Sequence, residues 1–296
     1  MWLPTPFVLG LQRRPRGPNP LMSKSSSQRI VDFYRDADEA SRLVTGWFQL
    51  EQARTRELIL RYLPPAPGTI IDAGGGSGVY GCWLATLGYQ VHLIDPVQKH
   101  VEQAQDASRK QPAHPLASAA VGDARQIPQS ENSADAVLLL GPLYHLVERQ
   151  DRIVCLREAY RVLRPGGMLW GAGISHFASL LDSLTHGFFA DPDFAPILDR
   201  DLEDGQHRNA TGNPLYFTDA FFHRPGELSR EVQAAGFQIL EVLPIEGPGW
   251  LARDFERLWT DPIQRDRLLT AVRRMEREPS VLGVSSHIMA IGLKRA

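Results

Sequence analysis

The chain has 296 residues, 43% of them hydrophobic and 22% charged, with a formal net charge of −2. This is globular composition without the overall basic excess of a nucleic-acid-binding domain, and no apolar run reaches the ~18 residues of a membrane helix. Cys82 and Cys155, the two cysteines, sit inside apolar helix-like patterns and read as reduced core thiols of a cytoplasmic protein.

Residues 1–22 read as a disordered tail. Met1 to Pro20 holds five prolines and three arginines, and its short apolar run precedes the arginines, the reverse of a secretory signal. Met22 resembles a second start, so deletion of the first 21 residues is expected to leave activity and stability intact. From Gln28 to Leu63 the apolar spacing is helical, and Pro64-Pro65 stops the run. Thr69–Asp72 is a β-branched strand that runs into glycines. Val79–Leu87 is a helix closed by Gly88, Tyr89–Ile94 a strand and Val97–Arg109 a helix. Ala117–Val121 and Ala134–Leu140 are further strands, the second with the unbroken apolar character of a buried parallel strand. Arg152–Leu163 is a helix, and Pro165-Gly-Gly167 turns the chain into a strand over Met168–Ala172.

The rhythm breaks after Ser175. Residues 175–226 are rich in Phe, Asp, His and Gly, and are too many for a structureless loop. They are expected to fold as a helical lid inserted between a core at 23–174, with N-terminal cap helices, and its remainder at 227–296. The remainder reads as a helix at Pro225–Ala235, a strand at Phe237–Leu243, a helix at Asp254–Arg277 and a final strand at His287–Leu293. Strands alternating with helices indicate an α/β fold, a Rossmann-like doubly wound sheet.

The segment Asp72-Ala-Gly-Gly-Gly-Ser-Gly78 lies between a strand and a helix, where free backbone N–H groups and absent side chains admit a ligand. Nested in it is Gly76-Ser-Gly78-Val-Tyr-Gly81, a dinucleotide fingerprint, and Asp95 ends the next strand, where an acid binds ribose. The loop alone therefore fits either NAD or S-adenosylmethionine (SAM). Asp72 tips the balance: a carboxylate there repels a pyrophosphate but suits the cationic amino group of SAM. Gly122-Asp123-Ala124 adds an acceptor for an adenine amine, and Leu163-Arg-Pro-Gly-Gly167 precedes the fifth strand.

With these motifs in order, the chain resembles the class I SAM-dependent methyltransferases, most strongly from Thr69 to Ala172. The resemblance implies a seven-stranded sheet whose last strand is antiparallel, with SAM across the C-terminal strand ends. It also implies that Asp72, Gly74, Gly76 and Gly78 hold the methionine part. Asp95 would hold the ribose hydroxyls and Asp123 with Ala124 the adenine; Ala73, Pro96 and Leu140 complete the expected contacts.

Methyl transfer from a sulfonium depends on alignment, and needs a base only where the acceptor must lose a proton. The loop after the fourth strand, Gly141-Pro-Leu-Tyr-His145, offers His145 as the expected base and Tyr144 as a wall of the methyl channel. His176, His186, His207, His223, Arg208, Tyr216, the pairs Phe188-Phe189 and Phe221-Phe222, and Trp250 are candidates for the acceptor side. No metal-binding spacing occurs. The expected partner is a small-molecule methyl acceptor, with methylation on O or N ahead of S or C, in a monomer or homodimer with no membrane role. A tRNA or protein methyltransferase, drawing on the arginines of 265–277, and a non-catalytic SAM-fold binding protein are the alternatives.

Overall fold

The computed structural model describes residues 24–295, so the expected tail and the second start at Met22 lie outside the described residues. Three helices come first: α1 Ser26–Asp36, α2 Glu39–Arg42 and α3 Phe48–Tyr62. The periodicity predicted one helical stretch here. It is broken where Ala37 turns extended and where Gly46 adopts φ +52°. Asp38 competes for the backbone's place by accepting from Ser41 Oγ at 2.6 Å.

The alternating core follows as β1 Thr69–Ala73, α4 Val79–Thr86, β2 Gln90–Asp95, α5 Gln98–Arg109, β3 Ser118–Val121 and β4 Ala134–Leu139. It continues with α6 Pro142–His145, α7 Arg149–Val162 and β5 Leu163–Ser175. The segment 176–226 contributes α8 Ala178–His186, α9 Ala195–Asp204, β6 Gln206–His207 and β7 Ala220–His223. The chain then forms α10 Glu227–Ala234, β8 Gln238–Pro244, α11 Phe255–Thr260, α12 Pro262–Met275 and β9 His287–Leu293.

The main sheet runs β3-β2-β1-β4-β5-β9-β8. The first five strands are parallel, and β9 is antiparallel to both of its neighbours. This is the doubly wound α/β sheet that the strand–helix alternation indicated, with the seven strands that the resemblance implied. Successive strand residues point to opposite layers. Ile70, Leu93, Leu138 and Trp170 pack beneath α3, α4 and α5, while Ile71, Val137, Leu139 and Leu169 pack against α7 and α10. Both faces are covered, which is why these strands are apolar throughout.

Three local departures have physical causes. The turn expected at Pro165-Gly-Gly167 lies inside β5 as a bulge. The register jumps from Ala134–Leu163 to Ala136–Met168, and Gly166, at φ +83°, donates its N–H to the Lys294 carbonyl at 2.7 Å. The single helix expected over 254–277 is split at Pro262, whose ring cannot continue a helix, and Asp261 caps the second piece through the N–H groups of Ile263 and Gln264. The insertion, expected to form a helical lid, also extends the sheet. β4 stops pairing at Leu139–Gly171, β5 continues to Ser175, and β7 pairs parallel with Ile174 and Ser175 while β6 adds to β7. No helix among the described residues is long and apolar enough to cross a membrane.

Candidate active site

β1 and β4 are neighbours, but the chain leaves β1 toward β2 and leaves β4 toward β5. A crevice must open where their C-terminal ends part. The glycine loop fills the floor of this crevice. The N–H groups of Gly74 and Gly75 both reach the Ile94 carbonyl, at 2.7 and 3.2 Å, tying the loop to the end of β2. A Cβ on Gly74 would meet the Pro142 ring at 2.6 Å, whereas one on Gly76, at φ +56°, would meet nothing within 4 Å. Gly74 therefore lets the loops after β1 and β4 touch, and Gly76 leaves the cleft open.

The cleft is lined by Asp72, Gly74, Gly76, Asp95, Pro96, Asp123, Ala124, Leu140, Tyr144 and His145, ten of the residues singled out from the sequence. Ala73 and Gly78 do not line it: Ala73 is buried in the layer beneath, and Gly78 caps α4 against Ala104. Asp95 is buried and accepts from the N–H groups of Gly76 and Val97, both at 2.9 Å, and from His100 Nδ1 at 3.1 Å. Asp123 is half-exposed and paired with Arg125. Asp72 is buried beside Asp95, and burial with that like charge pushes its carboxyl up to about 7.

Besides Tyr80 Oη, two buried polar atoms of cleft residues, Asp72 Oδ2 and His100 Nε2, have no hydrogen-bond partner among the described residues. A ligand with a cationic group and hydroxyls would satisfy both. The acid beneath the loop, the open space over Gly76 and the acidic end of β2 thus fit SAM. His100 was not singled out in the sequence, because nothing in an amphipathic helix marks which polar residue turns back to its own N-terminus.

Helix α1 covers the cleft. Its Arg29 forms an ion pair with Asp219 of the insertion, and Phe33 meets Phe217 edge-to-face at 5.6 Å. Tyr34 O–H lies 2.8 Å from His145 Nε2. The other ring nitrogen, Nδ1, faces the Asp219 carbonyl at 3.4 Å and so carries the proton, leaving Nε2 to accept from Tyr34. Burial pushes the His145 imidazole down to about 4, so it is neutral with its lone pair engaged.

A second cavity adjoins the first. Its walls include Trp47, Phe194, Tyr216, Phe217, Phe222 and Trp250. Tyr34, Glu39, Arg42, Tyr144 and His287 line both cavities and form the threshold between them. Of the other candidates from the insertion, His207 lines the second cavity, but Asp201 and the Tyr216 carbonyl take its two nitrogens, at 2.9 and 2.6 Å. His176 is buried among carbonyls, His223 is buried against Glu231, and His186 is exposed. Arg208 bonds Gln206 at 2.7 Å. Phe188 packs within the insertion, Phe189 is exposed, and Phe221 stacks under Arg152.

At the threshold, His287 Nδ1 donates to Glu246 Oε1 at 2.7 Å and lies 3.9 Å from Glu51 Oε2. Arg42 engages both Glu51 oxygens, at 2.7 and 3.1 Å. Glu51, Glu246 and His287 place ligand-type atoms within 4.8 Å of one another, but the Arg42 guanidinium already neutralises Glu51 there. The sequence reading missed this group. Its members come from α3, the turn after β8 and the start of β9, and only the sheet order brings them together.

Residues 71–171 match the methyltransferase domain family. An uncharacterised methyltransferase of Mycobacterium tuberculosis is 35% identical over 107 residues, which is 36% of this chain and 40% of that protein. The 27-O-demethylrifamycin SV methyltransferase of Amycolatopsis mediterranei is 35% identical over 124 residues, 40% of this chain and 44% of its own length. This chain thus spans about two fifths of the length of the first curated relatives it matches. Among solved structures, a SAM-dependent methyltransferase from Methanosarcina mazei superposes with a TM-score of 0.54 at 20% identity, covering 80% of this chain and 97% of that one.

Proposed function

We propose that this chain, a class I methyltransferase fold with its methyltransferase domain at residues 71–171, transfers a methyl group from SAM to an oxygen or nitrogen of a small molecule in the cytoplasm. The observation that carries this reading is the junction of two cavities. One has a glycine floor with acids at the ends of β1 and β2; the other has aromatic walls, and five residues belong to both.

In this reading Asp72 and the loop of Gly74 and Gly76 receive the amino-acid end of SAM, Asp95 and His100 the ribose, and Asp123 with Ala124 the adenine. Bound there, SAM supplies an activated methyl group by in-line displacement. The protein's contribution is alignment and exclusion of water. Helix α1 closes the donor side, and the aromatic walls seat an apolar acceptor scaffold. The small-molecule reading is also favoured by two arginines, one in α12 and one just after it. Arg273 pairs with Glu57 at 3.0 Å and Arg277 with Glu241 at 2.7 Å, so these cations serve the fold.

Calorimetric titration with S-adenosylhomocysteine and, separately, NADH tests the donor. Binding of the first and not the second is expected; the reverse overturns the reading. Tritium transfer from labelled SAM into hydroxylated or aminated small molecules, and not into tRNA or protein, is the expected result on the acceptor side. Label entering tRNA or protein alone overturns that part.

A further inference from the structure

We infer that His287, backed by Glu246, is the general base that takes the proton from an acceptor hydroxyl, and that the acceptor is therefore a hydroxylated, largely apolar or aromatic scaffold. This rests on the methyl-transfer reading above.

The argument starts from the threshold, since a base must reach the acceptor while the acceptor faces the donor. Five residues meet that condition. Tyr34 and Tyr144 are buried phenols whose ionisation burial opposes. Arg42 is a permanent cation, and its Nε holds Glu39 at 2.8 Å. His287 remains, and its surroundings are those of an oriented base. Glu246 is fully buried and acceptor-only, so Nδ1 carries the proton and Nε2 the lone pair. Nδ1 is the only ring nitrogen of His287 with a hydrogen-bond partner among the described residues. Glu246 is itself held: its Oε2 accepts from Ser285 Oγ at 2.9 Å and from the His287 backbone N–H at 3.0 Å. An imidazole with one nitrogen on a fixed carboxylate and the other toward a cavity is the arrangement that general-base catalysis requires.

The charges facing His287 agree. They are Glu51 from α3, Glu246 after β8 and Arg42 from α2, with Tyr144 of α6 beside the ring at 6.2 Å. Burial opposes protonation, but Glu51 and Glu246 outweigh it and hold the imidazole above its ordinary value. His145 differs in each respect: its Nε2 is taken by Tyr34 and burial makes it a weak base.

The step balances. The acceptor O–H bond breaks and its proton passes to Nε2, while the oxygen's electron pair forms the bond to the methyl carbon. The carbon–sulfur bond breaks with its pair retained on sulfur, leaving a neutral thioether. The imidazolium then returns its proton to water. Glu246 acts through His287 and is a positioning residue.

The test uses the full chain with S-adenosylhomocysteine. Imidazole ¹⁵N titration should place His287 above the free value of about 6.5, with the neutral tautomer protonated at Nδ1, and Glu246→Gln should lower the midpoint by roughly one unit or more. A midpoint at or below the free value, or one indifferent to Glu246→Gln, overturns the proposal whatever the acceptor. Tritium transfer from labelled SAM to 1-naphthol and 4-nitrophenol should rise with pH through the His287 midpoint. His287→Gln should lower kcat by about 100-fold and abolish that limb, with S-adenosylhomocysteine affinity within about twofold of wild type. Loss should be much smaller with 4-nitrophenol at a pH where it is already ionised, which a merely structural role would not produce. A His287→Gln variant that keeps both rate and limb overturns the proposal. Failure of the wild type to bind S-adenosylhomocysteine instead overturns the donor reading, and the proposal falls with it.

Discussion

Tyr34 and His145, 111 residues apart in sequence, share a 2.8 Å hydrogen bond that fastens the covering helix α1 to the loop after β4. The bond consumes the lone pair that a catalytic His145 would need. A net contribution of ~0.5–1.5 kcal/mol is typical of such a bond. Tyr34→Phe should therefore weaken S-adenosylhomocysteine binding up to about tenfold, measured by calorimetry. His145 should stay neutral by ¹⁵N NMR from about pH 8 down to about pH 5, and its midpoint should rise from about 4 in the variant, which loses a donor to the neutral ring.

Asp72 predicts a proton released on binding. Its carboxyl titrates near 7 in the folded, unliganded chain, above its unfolded value, so the folded chain holds the extra proton between about pH 4 and 7. Stability should decline as pH rises through that window and then level off. A cationic ligand favours the carboxylate, so SAM binding at about pH 6 should release up to one proton, read from the dependence of binding enthalpy on buffer ionisation heat. The release should fade above about pH 8 and vanish in Asp72→Asn.

Gly74 and Gly76 should separate stability from binding. A Cβ at Gly74 has no room against Pro142, so Gly74→Ala should lower the melting temperature by several degrees, from a loss of about 2 kcal/mol or more. At Gly76 the penalty is the positive φ alone, about 1 kcal/mol, because the methyl enters open cleft. Gly76→Ala should leave the fold largely intact and reduce SAM affinity at least tenfold.

The acid limb of stability should run through Glu231. Burial opposes its ionisation, but hydrogen bonds from Arg152 and His223 outweigh that and hold the carboxyl at about 2. A carboxyl depressed in this way stabilises the fold above its unfolded value, and the benefit is lost as pH falls from about 4.5 toward 2. Arg152 is buried, donates to both Glu231 oxygens at 2.8 Å, and also bonds the Leu146 and Val147 carbonyls. Arg152→Met strands a buried acid and should cost about 3–5 kcal/mol in denaturant unfolding, with a flatter response to acid.

The alternating core was legible because its signals are local. Apolar runs of strand length, glycines at strand ends and acids at the ends of β1 and β2 are each read from a short stretch of neighbouring residues. For the same reason ten residues of the cleft were singled out from the sequence, whereas Ala73 and Gly78 lie outside its lining and His100 was not singled out. The threshold between the two cavities was less legible. His287 looked like the first residue of an apolar strand, and Glu246, beyond the strand expected at Phe237–Leu243, was not singled out until β9 was laid antiparallel against β8. His145 was the natural base from its place in the loop, but the sequence carries no sign that a tyrosine from α1 would occupy it. The strands β6 and β7 were invisible because they are short and recruited by the unpaired end of β5 rather than by their own periodicity.

Helix α1 walls both cavities, through Ile30 on one side and Phe33 on the other, with Tyr34 common to the two. The two cavities therefore share one wall. Any displacement of α1 that opens one cavity also strips a wall from the other, so neither can be unsealed alone.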